Sequence, residues 1–226
     1  MVRLGGGRTV VAAAHQQNFL PWLGFFDKMS RADVFVVLDD VQIDIWVVRN
    51  RIRTPDGFRW ITLPVQTRHG KINEVKPEIT DGWIEDVRKA LRRSYGDAKI
   101  GVMAAVRERL VDMMRSRATL DVFNMRLIEY LCGAGGLGMP EMVRSSDLGV
   151  DGSKGDRLVR ICREVGADVY LSGAGGREYI DVKAFRDAGI EVEFQEFSHP
   201  VYRQTFSGFV QDLSAVDKLL CTGVML

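Results

Sequence analysis

An apolar run, Val10-Val11-Ala12-Ala13-Ala14, ends abruptly in His15-Gln16-Gln17-Asn18, and a second, Val34-Phe35-Val36-Val37-Leu38, ends in Asp39-Asp40 with Gln42 close behind. An imidazole at such a point suits a general base or a donor to a substrate anion. Uncharged amides beside it have little reason to crowd a strand end unless they bind something polar, so Gln16, Gln17 and Asn18 join His15 as candidates. Asp39 and Asp40 have the chemistry to orient an amine, hold Mg²⁺ or act as the base, and a solvated turn is their plainer use. His15, Asp39 and Asp40 are thus the catalytic candidates. No metal site is read from the sequence.

Further candidates follow along the chain. Arg49, Arg51 and Arg53 alternate around Asn50, so an extended segment puts the three arginines on one face, able to grip a phosphate or carboxylate. Ser172-Gly173-Ala174-Gly175-Gly176 follows a predicted strand, and glycines there let backbone N–H groups approach an anion. The spacing is neither a P-loop nor a dinucleotide fingerprint, and a tight structural turn competes with the functional reading. Tyr179 and Asp181 come just after. Lys154 offers a phosphate contact at a helix start that Asp151 or Ser153 would cap. His199 and Tyr202 belong to a polar-aromatic loop that joins the site only if it folds back on the sheet. Gly133 to Gly138 reads as a helix end and loop, because Pro140 follows.

The elements that must position these residues are read from periodicity. Strand (about 9–14), helix (21–30) and strand (33–38) open a βαβ unit whose continuous apolar strands suit a parallel sheet covered on both faces. Ligands of such sheets bind outside the carboxyl ends of the strands. Phe58 to Val65 alternates as a half-buried strand, Asn73 to Ile79 suggests another, and antiparallel members of the sheet are expected here. Residues 83–131 carry Trp83, Val87, Leu91, Val102, Val106, Leu110, Met113, Leu120, Phe123, Leu127 and Leu131 at helical spacing, a helical insertion of three helices. A second strand-helix-strand unit follows: 142–146, 154–165 and 167–171. A short helix (182–188), a strand (192–197) and a terminal helix (214–221) complete the chain. The fold class expected is α/β, a mostly parallel Rossmann-like sheet flanked by helices, in one domain spanning residues 1–226.

With 226 residues and 46% hydrophobic content the chain can bury one sizeable core. Thirty-one Lys and Arg against 30 Asp and Glu leave a formal charge of +1, so no global field favours nucleic acid or an anionic membrane. A strip of Arg88, Lys89, Arg92 and Arg93 is the one local basic run, most simply a solvated helix face. Cys132, Cys162 and Cys221 lack Cys-x-x-Cys spacing and read as reduced thiols. No apolar run approaches the roughly 20 residues that cross a bilayer, and the Gly-rich start lacks a signal-peptide core, so a cytoplasmic protein is expected.

The stretches His15-Gln16-Gln17-Asn18-Phe19-Leu20-Pro21-Trp22-Leu23-Gly24-Phe25-Phe26-Asp27-Lys28, Leu38-Asp39-Asp40-Val41-Gln42, Asn50-Arg51-Ile52, Tyr170 to Tyr179 and His199-Pro200-Val201-Tyr202 together resemble the WbqC-like family over nearly the whole length. The resemblance implies attachment of glycine or another small acyl group to an amino sugar, in polysaccharide or related biosynthesis. The chain departs from the family pattern at Ile43, Asp44 and Ile45, where that pattern has an aromatic residue and then a lysine, and this shifts the expected acceptor towards another metabolite. The opening layout is also similar to nucleotidyltransferase-like proteins, with Trp22 and Phe25 where their His-x-Gly-His histidines stand.

The leading expectation is an acyl or aminoacyl transferase forming an amide, with small-molecule donor and acceptor. Gln16, Gln17, Asn18, Gln42, Asn50, Arg51, Ser172, Gly173, Gly175, Gly176, Tyr179, His199 and Tyr202 are the substrate-binding candidates. One alternative is an ATP-dependent, adenylate-forming ligase or nucleotidyltransferase using ATP with Mg²⁺, and another is a non-catalytic sugar-binding subunit. A thioester, an aminoacyl-tRNA and an acyl-adenylate all remain open as donor, as does the oligomeric state.

Overall fold

The computed structural model describes residues 7–96, 101–152 and 154–226. The expected cap at Ser153 and the reading of residues 1–6 lie outside the described residues, as do the side chains of Val102 and Lys154. In chain order the elements are β1 (Val11–His15), α1 (Leu23–Ser30), β2 (Val34–Val37), α2 (Ile45–Val48), β3 (Arg49–Thr54), β4 (Gly57–Thr62), α3 (Asp81–Tyr95), α4 (Gly101–Met113) and α5 (Leu120–Gly135), then β5 (Glu141–Arg144), α6 (Lys154–Glu164), β6 (Val169–Ser172), α7 (Val182–Asp187), β7 (Glu191–Phe194) and α8 (Ala215–Thr222). The chain divides into two compact units, one of Met1–Gln16, Asp27–Asp39 and Met139–Ser198, the other of Gln17–Phe26, Asp40–Gly138 and His199–Leu226.

The first unit holds a five-stranded sheet in the order β5-β2-β1-β6-β7, every neighbouring pair parallel. This is the Rossmann-like architecture expected. The central strands β2 and β6 are buried at every residue, whereas the edge strands β5 and β7 alternate or open towards solvent, as coverage on two faces demands. Helix α6 turns Leu158, Val159, Ile161 and Cys162 into the core, where Tyr170 and Phe185 stack with centroids 5.1 Å apart. At the amino end of β1, Asp168 and Asp33 accept the N–H groups of Val10 and Val11 at 2.8 and 3.0 Å.

The second unit combines a two-stranded antiparallel ribbon, β3-β4, with the helical insertion α3 to α5 and with α8. Helix α4 packs on α3, α5 and α8, and β3 lies against α3 and α8. Thr80 caps α3 by accepting the Trp83 N–H at 3.1 Å. Helix α5 ends on Gly136 in the left-handed region at φ 71, which makes the Gly133 to Gly138 run a C-cap and loop.

Two expectations are corrected. Antiparallel strands do not join the large sheet, because β3 and β4 are joined through Pro55-Asp56 in a connection too short for anything but their own ribbon. Asn73 to Ile79 is not a strand; it holds one isolated bridge, between Val65 and Pro77, and proline has no N–H to extend a ladder. Half of the basic strip on α3 is paired within the insertion, since Arg88 and Arg92 both pair with Glu108 and Arg88 also reaches Asp112 at 3.3 Å, while Lys89 and Arg93 lie on the exposed face. Among the described residues no helix is long and apolar enough to cross a membrane.

Candidate active site

In the first unit the strand order reverses between β1 and β6, the point at which doubly wound sheets leave a crevice beyond their carboxyl ends. His15 ends β1 and Ser172 ends β6, so the sheet brings two of the sequence candidates to that edge. The half-buried His15 ring places Nδ1 2.9 Å from the Gln16 carbonyl. Because a carbonyl only accepts, that contact puts the proton on Nδ1 and makes Nε2 the lone-pair acceptor. Burial, then the charge of Lys28, push the imidazole down to about 3 against the weaker opposite pull of the Gln16 carbonyl, so His15 is neutral at physiological pH.

Lys28, on α1, is a candidate that sequence reasoning passed over. It is 3% exposed and its Nζ donates to the Ala14 carbonyl at 3.0 Å, directly below the end of β1. Burial pulls its amine down to about 7, so it exchanges between ammonium and amine in the working range of most enzymes. The signal was present: Leu23, Phe25, Phe26 and Met29 are all buried, so this short helix has no wide polar face on which a lysine could sit in water. Gln195, at 6% exposure, was also passed over; its Nε2 donates to Asp27 at 2.7 Å and ties the end of β7 to α1.

Asp39 is fully buried and engaged. Its Oδ1 accepts from Ser145 Oγ at 3.1 Å and the Ser146 N–H at 3.0 Å, while Oδ2 accepts from Ser146 Oγ at 2.6 Å. This bundle fastens the end of β2 to the turn after β5.

The glycine turn resolves into two kinds of glycine. A Cβ at Gly176 would lie 2.0 Å from Ser172 Oγ and 2.8 Å from Ile180 Cδ1, so that glycine is dictated by the turn's own packing. At Gly173 and Gly175 the same atom would meet nothing within 4 Å. Packing therefore explains Gly176 alone, and the backbone at 173 and 175 is open to approach. Ser172 itself is buried and donates to the Gly173 carbonyl at 3.0 Å. Tyr179 is 61% exposed, and Asp181 is taken up in capping α7, accepting from Lys183 and Ala184 N–H groups at 2.9 and 3.2 Å.

The remaining candidates belong to the second unit. Asn50 is buried and donates to the Leu20 carbonyl at 2.7 Å while accepting the Arg51 N–H at 2.8 Å. It thereby holds a chain reversal in which Leu20 takes a left-handed φ of 46, a conformation a leucine does not adopt unaided. Arg51 donates to the Asp212 carbonyl at 2.6 Å, and Gln42 accepts the Gly70 N–H at 3.2 Å. Gln17 is 1% exposed with neither amide atom hydrogen-bonded among the described residues, next to Asn124, whose Nδ2 donates to the Gln17 and Val47 carbonyls at 2.7 and 2.9 Å. Asn18 is buried and Asp40 half-buried. His199 stacks on Tyr202 at 6.1 Å, and the Tyr202 hydroxyl donates to buried Asp217 at 2.6 Å. Trp22 fills the space above Gly24, where a Cβ would come within 2.4 Å of the indole, so a side chain at 24 is excluded.

The structure thus gathers His15, Gln16, Asp39, Ser172, Gly173, Gly175, Gly176 and Tyr179 in the first unit, and places Gln17, Asn18, Asp40, Gln42, Asn50, Arg51, His199 and Tyr202 in the second. Among the described residues no group of three His, Cys, Asp or Glu side chains is placed to hold a metal ion. Fold and edge together define a doubly wound, Rossmann-like α/β protein with a neutral histidine at its switch point. Residues 16–225 match the model of the WbqC-like protein family, and the chain belongs to that family. His15 stands immediately before the matched span. The chain is also 31% identical over 214 residues to a protein of Mycobacterium tuberculosis (strain ATCC 25618 / H37Rv) described as "Uncharacterized protein Rv1507c", a match covering 92% of each chain.

Proposed function

We propose that the protein is an acyl or aminoacyl transferase that forms an amide on an amine of a sugar or small metabolite, with the chemistry carried at the carboxyl edge of the parallel sheet. The observation that supports this most is the neutral His15, its Nε2 an acceptor, beside the buried amine of Lys28 at the switch point. The acceptor nitrogen attacks the acyl carbon, the new C–N bond forms, and the bond from that carbon to the donor's leaving group breaks. The amine proton passes to His15 Nε2 and from there to the leaving group. Burial keeps His15 neutral and so able to accept a proton, and the oxyanion that forms beside it favours the imidazolium. Lys28 in its ammonium form, with N–H groups of the 173–175 backbone, supplies the compensating positive field.

The test begins with thermal shifts of the protein against nucleotide amino sugars, acyl thioesters, free glycine, and ATP with Mg²⁺, followed by mass spectrometry for an amide product. The expected result is a shift with an acyl donor or amino sugar, and a turnover that His15→Gln lowers by about 10²–10⁴-fold without loss of the folded-state circular dichroism. An unchanged rate in His15→Gln removes the base from the scheme. A shift with ATP, accompanied by pyrophosphate release, replaces direct transfer by adenylate formation.

A further inference from the structure

The β3-β4 ribbon of the second unit carries four arginines, at 49, 51, 53 and 59, and no acidic residue within either strand. Opposite residues of an antiparallel pair share a face, so Arg49 and Thr62, Arg51 and Trp60, and Arg53 and Phe58 form one surface. Trp46, from α2, borders it, with its ring centroid 5.8 Å from that of Trp60, and Phe58 meets Trp60 edge-on at 6.0 Å. Trp46 and Phe58 are 41% and 44% exposed. A single exposed aromatic needs no explanation, but a contiguous group interleaved with guanidinium groups does.

The arginines of this face differ in use. Arg53 is buried and its guanidinium is held by the carbonyls of Thr54, Gly57 and Ser207. Arg51 lies over Phe58 at 4.9 Å and donates to the Asp212 carbonyl. Arg49 lies 3.6 Å above the Trp60 ring, and among the described residues its side chain has no hydrogen bond or ion pair, its buried Nε included. A guanidinium stacked in this way is fixed in orientation, keeps its charge and retains its N–H fork for an anion.

We propose that this ribbon binds a nucleoside phosphate, the exposed ring of Trp46 stacking the base and Arg49 taking the phosphate. A neutral sugar would leave the Arg49 charge unmatched, and an acidic peptide would supply charge without a flat ring to lie on Trp46. A base with an adjacent phosphate satisfies both. Such a group occurs on a free nucleotide or nucleotide-linked donor and along a single-stranded RNA, and the same contacts serve either source.

Isothermal titration calorimetry with AMP, adenosine, ribose 5-phosphate, a poly-glutamate peptide and a short single-stranded RNA tests this. AMP is expected to bind at least about tenfold more tightly than adenosine or ribose 5-phosphate, a difference of about 1.4 kcal/mol. Arg49→Gln is expected to bring AMP down to the level of adenosine, and Trp46→Ala to weaken AMP and adenosine alike. RNA binding tighter than AMP assigns the source to RNA; equal or weaker binding assigns it to a free nucleotide. Should Trp46→Ala fail to fold by circular dichroism, Arg49→Gln alone decides. Absence of AMP binding, indifference to Arg49→Gln, or peptide binding as tight as AMP overturns the proposal. The readout is binding alone, so it stands or falls separately from amide formation.

Discussion

Lys28 and Arg49 both lack an acidic partner among the described residues, and the two regions that hold them deal with the problem in opposite ways. At the carboxyl edge of the parallel sheet Lys28 is buried against the Ala14 carbonyl, and burial pulls its amine down to about 7. On the β3-β4 ribbon Arg49 keeps a permanent charge by lying on the face of Trp60. A lysine can lose its proton and so tolerate the interior; a guanidinium cannot, and its charge must be met by carbonyls, as at Arg53, by an acid, a π-face or solvent. The first region is thereby suited to proton traffic, the second to holding a fixed anion.

The sharpest way to break this contrast is to exchange the two side chains. Lys28→Arg places a charge that cannot be neutralised at a 3% exposed position and is expected to cost about 3 kcal/mol or more in urea denaturation. Arg49→Lys at the half-buried ribbon position is expected to cost less than about 1 kcal/mol, losing only the stacking. Equal losses would show that burial does not separate the two sites.

The pH dependence of stability sharpens the same point. Lys28 has its folded value, about 7, below the ordinary 10.5, so between those values the unfolded chain binds more protons and stability rises with pH. His15, held at about 3 against 6.5, makes stability fall as pH drops through the window from 6.5 to 3. Lys28→Met is expected to abolish the alkaline rise and raise stability at pH 7 by a few kcal/mol, while His15→Gln abolishes its share of the acid loss. Urea melts at stepped pH measure both, and an alkaline slope surviving in Lys28→Met removes the buried amine as its source.

Smaller effects test the two turns that frame these regions. Gly176→Ala forces a methyl against Ser172 and Ile180 and is expected to cost about 1–3 kcal/mol, whereas Gly175→Ala stays within about 0.5 kcal/mol. Asn50→Ala removes the clamp on the Leu20 reversal and is expected to cost about 1–3 kcal/mol. The least effect is spectroscopic: in Lys28→Met the His15 imidazole loses a repelling charge and titrates higher by NMR, though burial still holds it below 6.5.

Much of the first unit was legible because its signals are local. Val34 to Val37 and Val169 to Leu171 are continuous apolar runs, and only strands buried on both faces read that way. His15 and the glycine turn were found by the same route, as polar residues where such runs stop. Their adjacency was not legible, because strand order is decided by pairing between segments far apart in the chain. Lys28 escaped notice because a lysine in the last turn of a helix reads as a solvated partner of the helix dipole, and only the neighbouring apolar residues betray its burial. Helix α2 was missed for the opposite reason: Ile45 to Val48 is β-branched and aromatic, and what starts it is Asp44, which caps the Trp46 N–H at 3.2 Å. Asp181, which caps α7, and Asn50, which holds the Leu20 segment from β3, show that a polar residue near a motif can be employed in building the backbone around it.

The junction of β1 with β6 also bears on how the molecule assembles. The Val10 N–H and the Asp168 carboxylate that seal it are separated by 158 positions in sequence. Closing so long a loop forfeits chain entropy before any contact repays it, so this junction belongs to the slow, non-local stage of folding. His15 and Ser172 therefore reach a common edge only when the sheet forms, and refolding followed at His15 reports completion of the sheet rather than collapse of the chain.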